Sequence, residues 1–326
     1  MNESELIARY FAPLATAPGA VGLRDDAAVI APREGHELVV TTDAIIAGVH
    51  FFADDPPATL ARKALRVNLS DLAAKGAKPC GFVLTLALPR VDEDWLRAFT
   101  QGLKEDIATF ACPLLGGDTV KTPGPLTISI TAFGEVPHGK IVRRQGARAG
   151  DLVVVTGTIG DAALGLRLLQ GDCVADISTP HRESLIARYR VPQPRVGIAH
   201  CVQHYFSAAM DVSDGLAGDL ARLCQASNVT ALIRAADVPL SQAARALRES
   251  EGEQWQQWVL AGGDDYEVLG TLKPDDWPAA SACAQEAGIA LTRIGMIEAG
   301  PFAPPRFLDA AGATLRIDPV PFSHFD

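Results

Sequence analysis

No run of apolar residues in this 326-residue chain approaches the roughly 20 needed to cross a bilayer, so no membrane-spanning helix and no membrane partner are expected. The opening MNESELIARYFAPL has no basic segment leading into an apolar stretch. It does not read as a secretory signal, and the expected address is the cytoplasm. Basic residues are also in short supply: 29 Lys and Arg stand against 39 Asp and Glu, a net charge of −10. Gripping a nucleic-acid backbone takes a basic face, so that class of partner is excluded. Cysteine is sparse and scattered. Of Cys80, Cys112, Cys173, Cys201, Cys224 and Cys283, the closest two in sequence, Cys201 and Cys224, stand 23 residues apart. That spacing holds no zinc-ribbon pair, and the six read as small core residues in a reducing compartment. Several catalytic signatures are missing as well: GxxxxGK[ST], a GxGxxG after the first strand, the kinase HRD and DFG, GxSxG and HExxH.

What is present suits an ordinary soluble chain of about two domains, with 48% hydrophobic and 21% charged residues. Leu6, Ile7, Tyr10, Phe11 and Leu14 fall at helical spacing, and Pro56 and Pro57 are suited to opening a long helix through Leu60, Leu65, Leu69 and Leu72. Strands are expected at 27–30, 38–42, 82–88 and 126–136, with a helix at 93–110. After turn material at 137–140 and a basic stretch at 143–148, strands are expected at 151–156, 208–212, 229–234, 266–272 and 290–297. The expected helices there are 161–170, 194–205, 215–226, 240–249 and 275–287. The pattern is α/β with mixed sheets in two domains, 1–145 and 146–326.

Aspartate recurs where turns and strand ends are expected: Asp25-Asp26, Asp43, Asp71, Gly116-Gly117-Asp118, Asp211-Val-Ser213-Asp214-Gly215 and Gly262-Gly263-Asp264-Asp265. One such turn is ordinary structure. Six together suit hard cations such as Mg²⁺, which take carboxylate and hydroxyl oxygens, while glycine lets the backbone approach an anion. Asn68 and Asp71 are three apart on one helix face, and Asp211 and Ser213 alternate on one strand face. Asp214 reads either as the N-cap of the next helix or as a metal ligand. Thr156–Asp161 reads as a packing turn. His200 and His204, four apart, lack the third ligand of a metal site.

In this order and spacing the segments GLRDDAAV, TTDAIIAGVHF, KALRVNLSDLAAKGAKP, LLGGDTV, GARAGDLVVVTG, MDVSDGL and AGGDDYEVL resemble those of the thiamine-monophosphate kinases. These belong to the superfamily of aminoimidazole ribonucleotide synthetase and selenophosphate synthetase. The resemblance implies two α/β domains, a homodimer formed through the first, and a C-terminal domain that completes the active site. It implies ATP-dependent phosphorylation of thiamine monophosphate with several Mg²⁺ ions. Carried over by motif, Asp26, Thr41, Thr42, Asp43, Asp71, Asp118, Asp211 and Asp214 are expected to bind metal, with Asp43, Asp71 and Asp118 catalytic through it. Gly117, Asp118, Arg144 and Ser213 are expected on ATP, and His50, Asp264 and Phe322 on the substrate. Three positions depart from the family pattern. Leu23-Arg24 precedes the first aspartates where a glycine is usual, Asp264 replaces a common Glu, and Phe322 stands where Tyr or Trp is frequent.

The alternatives are an aminoimidazole ribonucleotide synthetase-like enzyme, a metal-dependent phosphatase, and a nucleotide-binding protein without catalysis. Selenophosphate synthetases carry a reactive Cys or Sec with a Lys near the N-terminus, which this chain lacks.

Overall fold

The computed structural model describes residues 2–172 and 177–317. Two units divide the chain, Met1–Leu72 with Ala77–Ile141 and Ala73–Gly76 with Val142–Asp326. The first unit ends at Ile141, and Ala73–Gly76 is assigned to the second.

The first unit opens with α1 (Glu3–Leu6), whose N-terminus is closed by a reciprocal pair. The Asn2 side chain accepts from the Glu5 N–H at 2.9 Å, and the Glu5 carboxylate accepts from the Asn2 N–H at 2.9 Å. A π-helical segment (Ile7–Phe11) and a 3-10 turn (Ala12–Leu14) follow, and Leu6, Tyr10, Phe11 and Leu14 are buried as their spacing predicts. Then come β1 (His36–Ile46), α2 (Pro57–Ala74), β2 (Lys78–Leu88), α3 (Glu93–Phe110), β3 (Leu114–Lys121) and β4 (Thr127–Pro137). The sheet order is β1-β4-β2-β3, with β2 and β3 parallel and the other pairs antiparallel.

Three local expectations are corrected. Residues 27–30 form no strand: Ala28 and Ile30, like Val83 and Phe133 of the sheet, pack against the cluster of Ala15, Ala20 and Leu115 instead of pairing within the sheet. Gly116-Gly117-Asp118 is not a turn but the middle of β3, because the parallel partner β2 supplies a ladder that a local reading of glycines cannot anticipate. Asp43 likewise lies within β1, which runs on to Ile46, and not at a strand end.

Alternation sets the two faces of this sheet. Val39, Ile45, Phe82, Leu84, Leu86, Ile128, Ile130 and Ala132 are buried on one. The other is partly covered by the segment around Ala15–Ile30 and leaves Leu38 and Val40 exposed.

The second unit contains β5 (Leu152–Thr156), α4 (Asp161–Gln170), α5 (Thr179–Arg190), α6 (Ala199–Tyr205), β6 (Phe206–Asp211), α7 (Leu216–Ser227) and β7 (Thr230–Arg234). These are followed by α8 (Gln242–Ala261), β8 (Val268–Leu272), α9 (Trp277–Glu286), β9 (Leu291–Glu298) and β10 (Arg306–Leu308). The strand order is β10-β7-β9-β5-β8-β6. Val153 and Val155 enter the core with Leu164, Leu185, Leu220 and Val259, while Leu152 and Val154 enter a second core with Cys201, Val202 and Ala280. Helices therefore cover both faces, which explains why β5 reads as an unbroken apolar run. Helix α5 and strand β10 are not among the expected elements, and α8 runs on to Ala261, past its expected end at 249.

Cys201 and Cys283 form a disulfide between α6 and α9, with 5.9 Å between Cα atoms, which corrects the expectation of scattered thiols. Their separation of 82 residues carries no local signal; the packing of the two helices pairs them. Closing so long a loop is expected to stabilise the fold by about 2–4 kcal/mol. Urea titration before and after dithiothreitol treatment reads that difference. An unchanged midpoint with both thiols shown reduced would contradict it.

Candidate active site

Strand β1 and helix α2 place the first group of predicted residues. The Thr41 hydroxyl donates to the Asp71 carboxylate, so the odd-numbered side chains of β1 face α2. Asp43 lies two residues on, on that same face. Thr42 points the opposite way, donating to the Ile130 carbonyl at 3.2 Å and accepting from the Thr131 hydroxyl at 3.0 Å. Asn68, one turn before Asp71, is fully buried, and its Oδ1 has no hydrogen-bond partner among the described residues. Beyond β1 the chain turns tightly: the His50 N–H donates to the Ile46 carbonyl at 2.9 Å, and the Ile46 N–H donates to His50 Nδ1 at 3.1 Å. The buried Lys63 reaches the His50 carbonyl from α2 at 3.0 Å.

Asp118 sits elsewhere. Its row across the sheet is Asp118, Thr85, Ser129 and Ala44, whereas the row of Asp43 is Ile130, Leu84 and Gly117. Adjacent rows point to opposite faces, and β1 and β3 are opposite edges, three strand spacings or about 14 Å apart. Asp118 instead lines a cavity of about 490 Å³ with Asp25, Asp26, Gly117 and Phe11. Gly117 has no alternative in this strand, because a Cβ there would run into the Leu84 carbonyl. The first unit thus sorts its predicted residues into two groups, Thr41, Asp43 and Asp71 in one and Asp26 and Asp118 in the other. Among the described residues no three His, Cys, Asp or Glu side chains converge closely enough to hold a metal ion.

In the second unit Asp211 closes β6, and Ser213 lies beyond the strand, not alternating within it. Nor does Asp214 cap α7. The N-cap is Gly215, without a side-chain hydrogen bond, and Asp214 pairs with Arg222. Asp219 does the work the cap would have done: its Oδ2 accepts from the Ser213 and Asp214 N–H groups at 3.0 and 2.9 Å. Burial pushes its carboxyl up to about 6, against those N–H bonds and the nearby Arg222. Asp264 donates its N–H to the Ser213 carbonyl at 2.8 Å, and Gly263 presses on that carbonyl too closely for a Cβ. Arg144 is exposed, and its carbonyl accepts from the Ser227 hydroxyl at 3.1 Å. Phe322 lies outside the described residues.

Sequence reading alone does not reach Lys63, Asp219 or Glu267, and it groups Asp265 with Asp264 as one acidic turn. Asp265 and Glu267 both stand in AGGDDYEVL, where acids inside an otherwise apolar approach to a strand signal buried, partnered carboxylates.

The predicted metal ligands offer carboxylate and hydroxyl oxygens and no thiolate or imidazole, a donor set that fits Mg²⁺.

Two family descriptions match, the N-terminal domain of AIR synthase related protein over residues 24–136 and its C-terminal domain over 148–303. The thiamine-monophosphate kinase of Caulobacter vibrioides is 42% identical over 298 residues, covering 90% of this chain and 83% of that protein. That of Escherichia coli K12 is 41% identical over 301 residues, 91% of each chain. Among solved structures, the thiamine-monophosphate kinase of Stenotrophomonas maltophilia K279a superposes with a TM-score of 0.79 at 40% identity, over 87% of this chain and 89% of that one. A structure described as AaThiL complexed with AMPPCP and TMP gives 0.78 at 31% identity, over 90% and 89%. The chain belongs to the thiamine-monophosphate kinase family of AIR synthase related proteins.

Proposed function

We propose that this enzyme transfers the γ-phosphoryl group of ATP directly to the phosphate of thiamine monophosphate, giving thiamine diphosphate and ADP. The observation that carries this is the likeness, over nine-tenths of the chain, to a structure holding AMPPCP and TMP.

The acceptor phosphate is largely dianionic at neutral pH, its second pKa being about 6, so no strong base is required. The obstacle is the repulsion of two polyanions. Magnesium, when bound, neutralises that charge and aligns donor and acceptor. Asp26, Asp43, Asp71, Asp118, Asp211 and Asp214, with the hydroxyls of Thr41 and Thr42, are the residues that would hold it. Gly117 and Asp118, with Arg144 and Ser213, contact ATP. His50 and Asp264 contact thiamine monophosphate, as would Phe322.

The acting species is a cytoplasmic homodimer. One feature of the first unit supports the dimer: Leu38 and Val40 expose an apolar sheet face.

Direct transfer predicts initial-rate lines that intersect in double-reciprocal plots with both substrates varied. Parallel lines, or a phosphorylated protein turning over at the catalytic rate, would contradict it.

A further inference from the structure

Two non-glycine residues within three positions adopt left-handed backbone, Asp264 at φ 71° and Tyr266 at φ 52°. Such conformations are costly for side-chain-bearing residues and persist only where the surroundings hold them. Here the surroundings are specific. The Asp264 N–H donates to the Ser213 carbonyl and the Tyr266 N–H to the Val212 carbonyl, each at 2.8 Å, and the Val212 N–H donates to the Glu267 carbonyl at 2.8 Å. Residues 264–267 are zipped onto 212–213.

The side chains between the strained positions anchor this zipper from behind. The fully buried Asp265 carboxylate accepts from the Gly160 N–H at 2.7 Å, at the start of α4, and from the Ala162 N–H at 3.4 Å. The fully buried Glu267 accepts from Arg195 through Nε at 2.6 Å and through Nη2, from Arg188 Nη2 at 3.0 Å, and from the Thr156 hydroxyl at 2.7 Å. Arg188 Nη2 also donates to the Asp265 carbonyl at 3.1 Å. A bidentate guanidinium on a desolvated carboxylate fixes direction as well as distance.

We infer that Asp265 and Glu267, with Arg188 and Arg195, are positioning residues that hold Asp264 and the Ser213 loop in the geometry for phosphoryl transfer. The inference rests on the assignment of Asp264 to the substrate and Ser213 to ATP. A mere core ion pair would affect stability alone. A positioning network must also change how the folded enzyme binds and turns over.

The test uses the full chain with Arg195→Ala, Arg195→Lys and Thr156→Val, the last removing at nearly constant volume the hydroxyl that donates to Glu267 and accepts from the Val268 N–H at 2.7 Å. In folded protein, Arg195→Ala is expected to raise KM for thiamine monophosphate and lower kcat, each about tenfold. Arg195→Lys, which keeps the charge, should recover part of both losses. Hydrogen exchange at the Asp264 and Tyr266 amides should speed up about tenfold while β5 is unchanged. If Arg195→Ala does not fold, Thr156→Val must show the same pattern in weaker form. KM and kcat within about twofold of the parent, or exchange that rises evenly across the second unit, would overturn the inference. Asp264→Ala separates it from the assignment beneath it: an unchanged KM there would refute Asp264 as a substrate contact, while the exchange readout still decides whether the network positions the loop.

Discussion

Asp43→Asn and Asp71→Asn are each expected to lower kcat by about a thousandfold or more at saturating Mg²⁺ while leaving the fold intact. The substitution keeps size and removes only charge, at side chains that are exposed in one case and half-buried in the other. Asp71 loses a carboxylate oxygen that accepts from Thr41, which an amide oxygen can replace, so stability should hardly change. Circular dichroism and urea titration check the fold, and steady-state kinetics across a Mg²⁺ series check the activity. Near-parent turnover at high Mg²⁺ would remove these residues from the metal-binding set. Asp118→Asn should be equally inactive, and its position extends the test. If Asp43 of one copy works with Asp118 of another, mixing and re-equilibrating Asp43→Asn with Asp118→Asn restores about a quarter of the activity, because half the dimers are mixed and each holds one intact site. No recovery from a mixture shown to contain mixed dimers would place both residues in one copy's site.

The second large effect is on stability. Arg66 of α2 meets Asp106 of α3 through two parallel bonds, Nε to Oδ2 at 2.7 Å and Nη2 to Oδ1 at 2.8 Å, with side-chain exposures of 10% and 2%. Asp106→Ala leaves the guanidinium without its carboxylate in a site nearly closed to water, and is expected to cost about 3–5 kcal/mol. The Phe110 ring, 5.2 Å from the guanidinium carbon, remains but does not replace a carboxylate. Replacing both partners together by apolar residues of similar volume, Arg66→Met with Asp106→Leu, should restore most of the loss. Urea titration reads both. A loss of less than about 1 kcal/mol for Asp106→Ala, the range of exposed pairs, would show that the site admits water.

The legible part of this fold was its periodic part. Helix 93–110 and helix 161–170 stand where their patterns put them, and β5 announces burial on both faces by its apolar run. What failed was local reading of features decided at a distance. Gly116-Gly117-Asp118 looked like a turn until β2 gave it a parallel partner, and Ala27–Ile30 looked like a strand although the sheet had no place for it. Asp214 had the chemistry of a cap, but Asp219, five residues on, takes the N–H groups of Ser213 and Asp214. The candidate site residues come from motif alone. Their division between opposite faces and edges does not, because strand order is absent from any single segment. Cys201 and Cys283 show the same limit, 82 residues apart and joined only by helix packing.

The most direct test is to incubate the purified protein with ATP and Mg²⁺, adding either thiamine monophosphate or free thiamine, and to separate the products chromatographically. The account predicts thiamine diphosphate with equimolar ADP from the monophosphate and neither product from thiamine. Release of ADP without thiamine diphosphate would contradict it and identify an ATP hydrolase or a different acceptor.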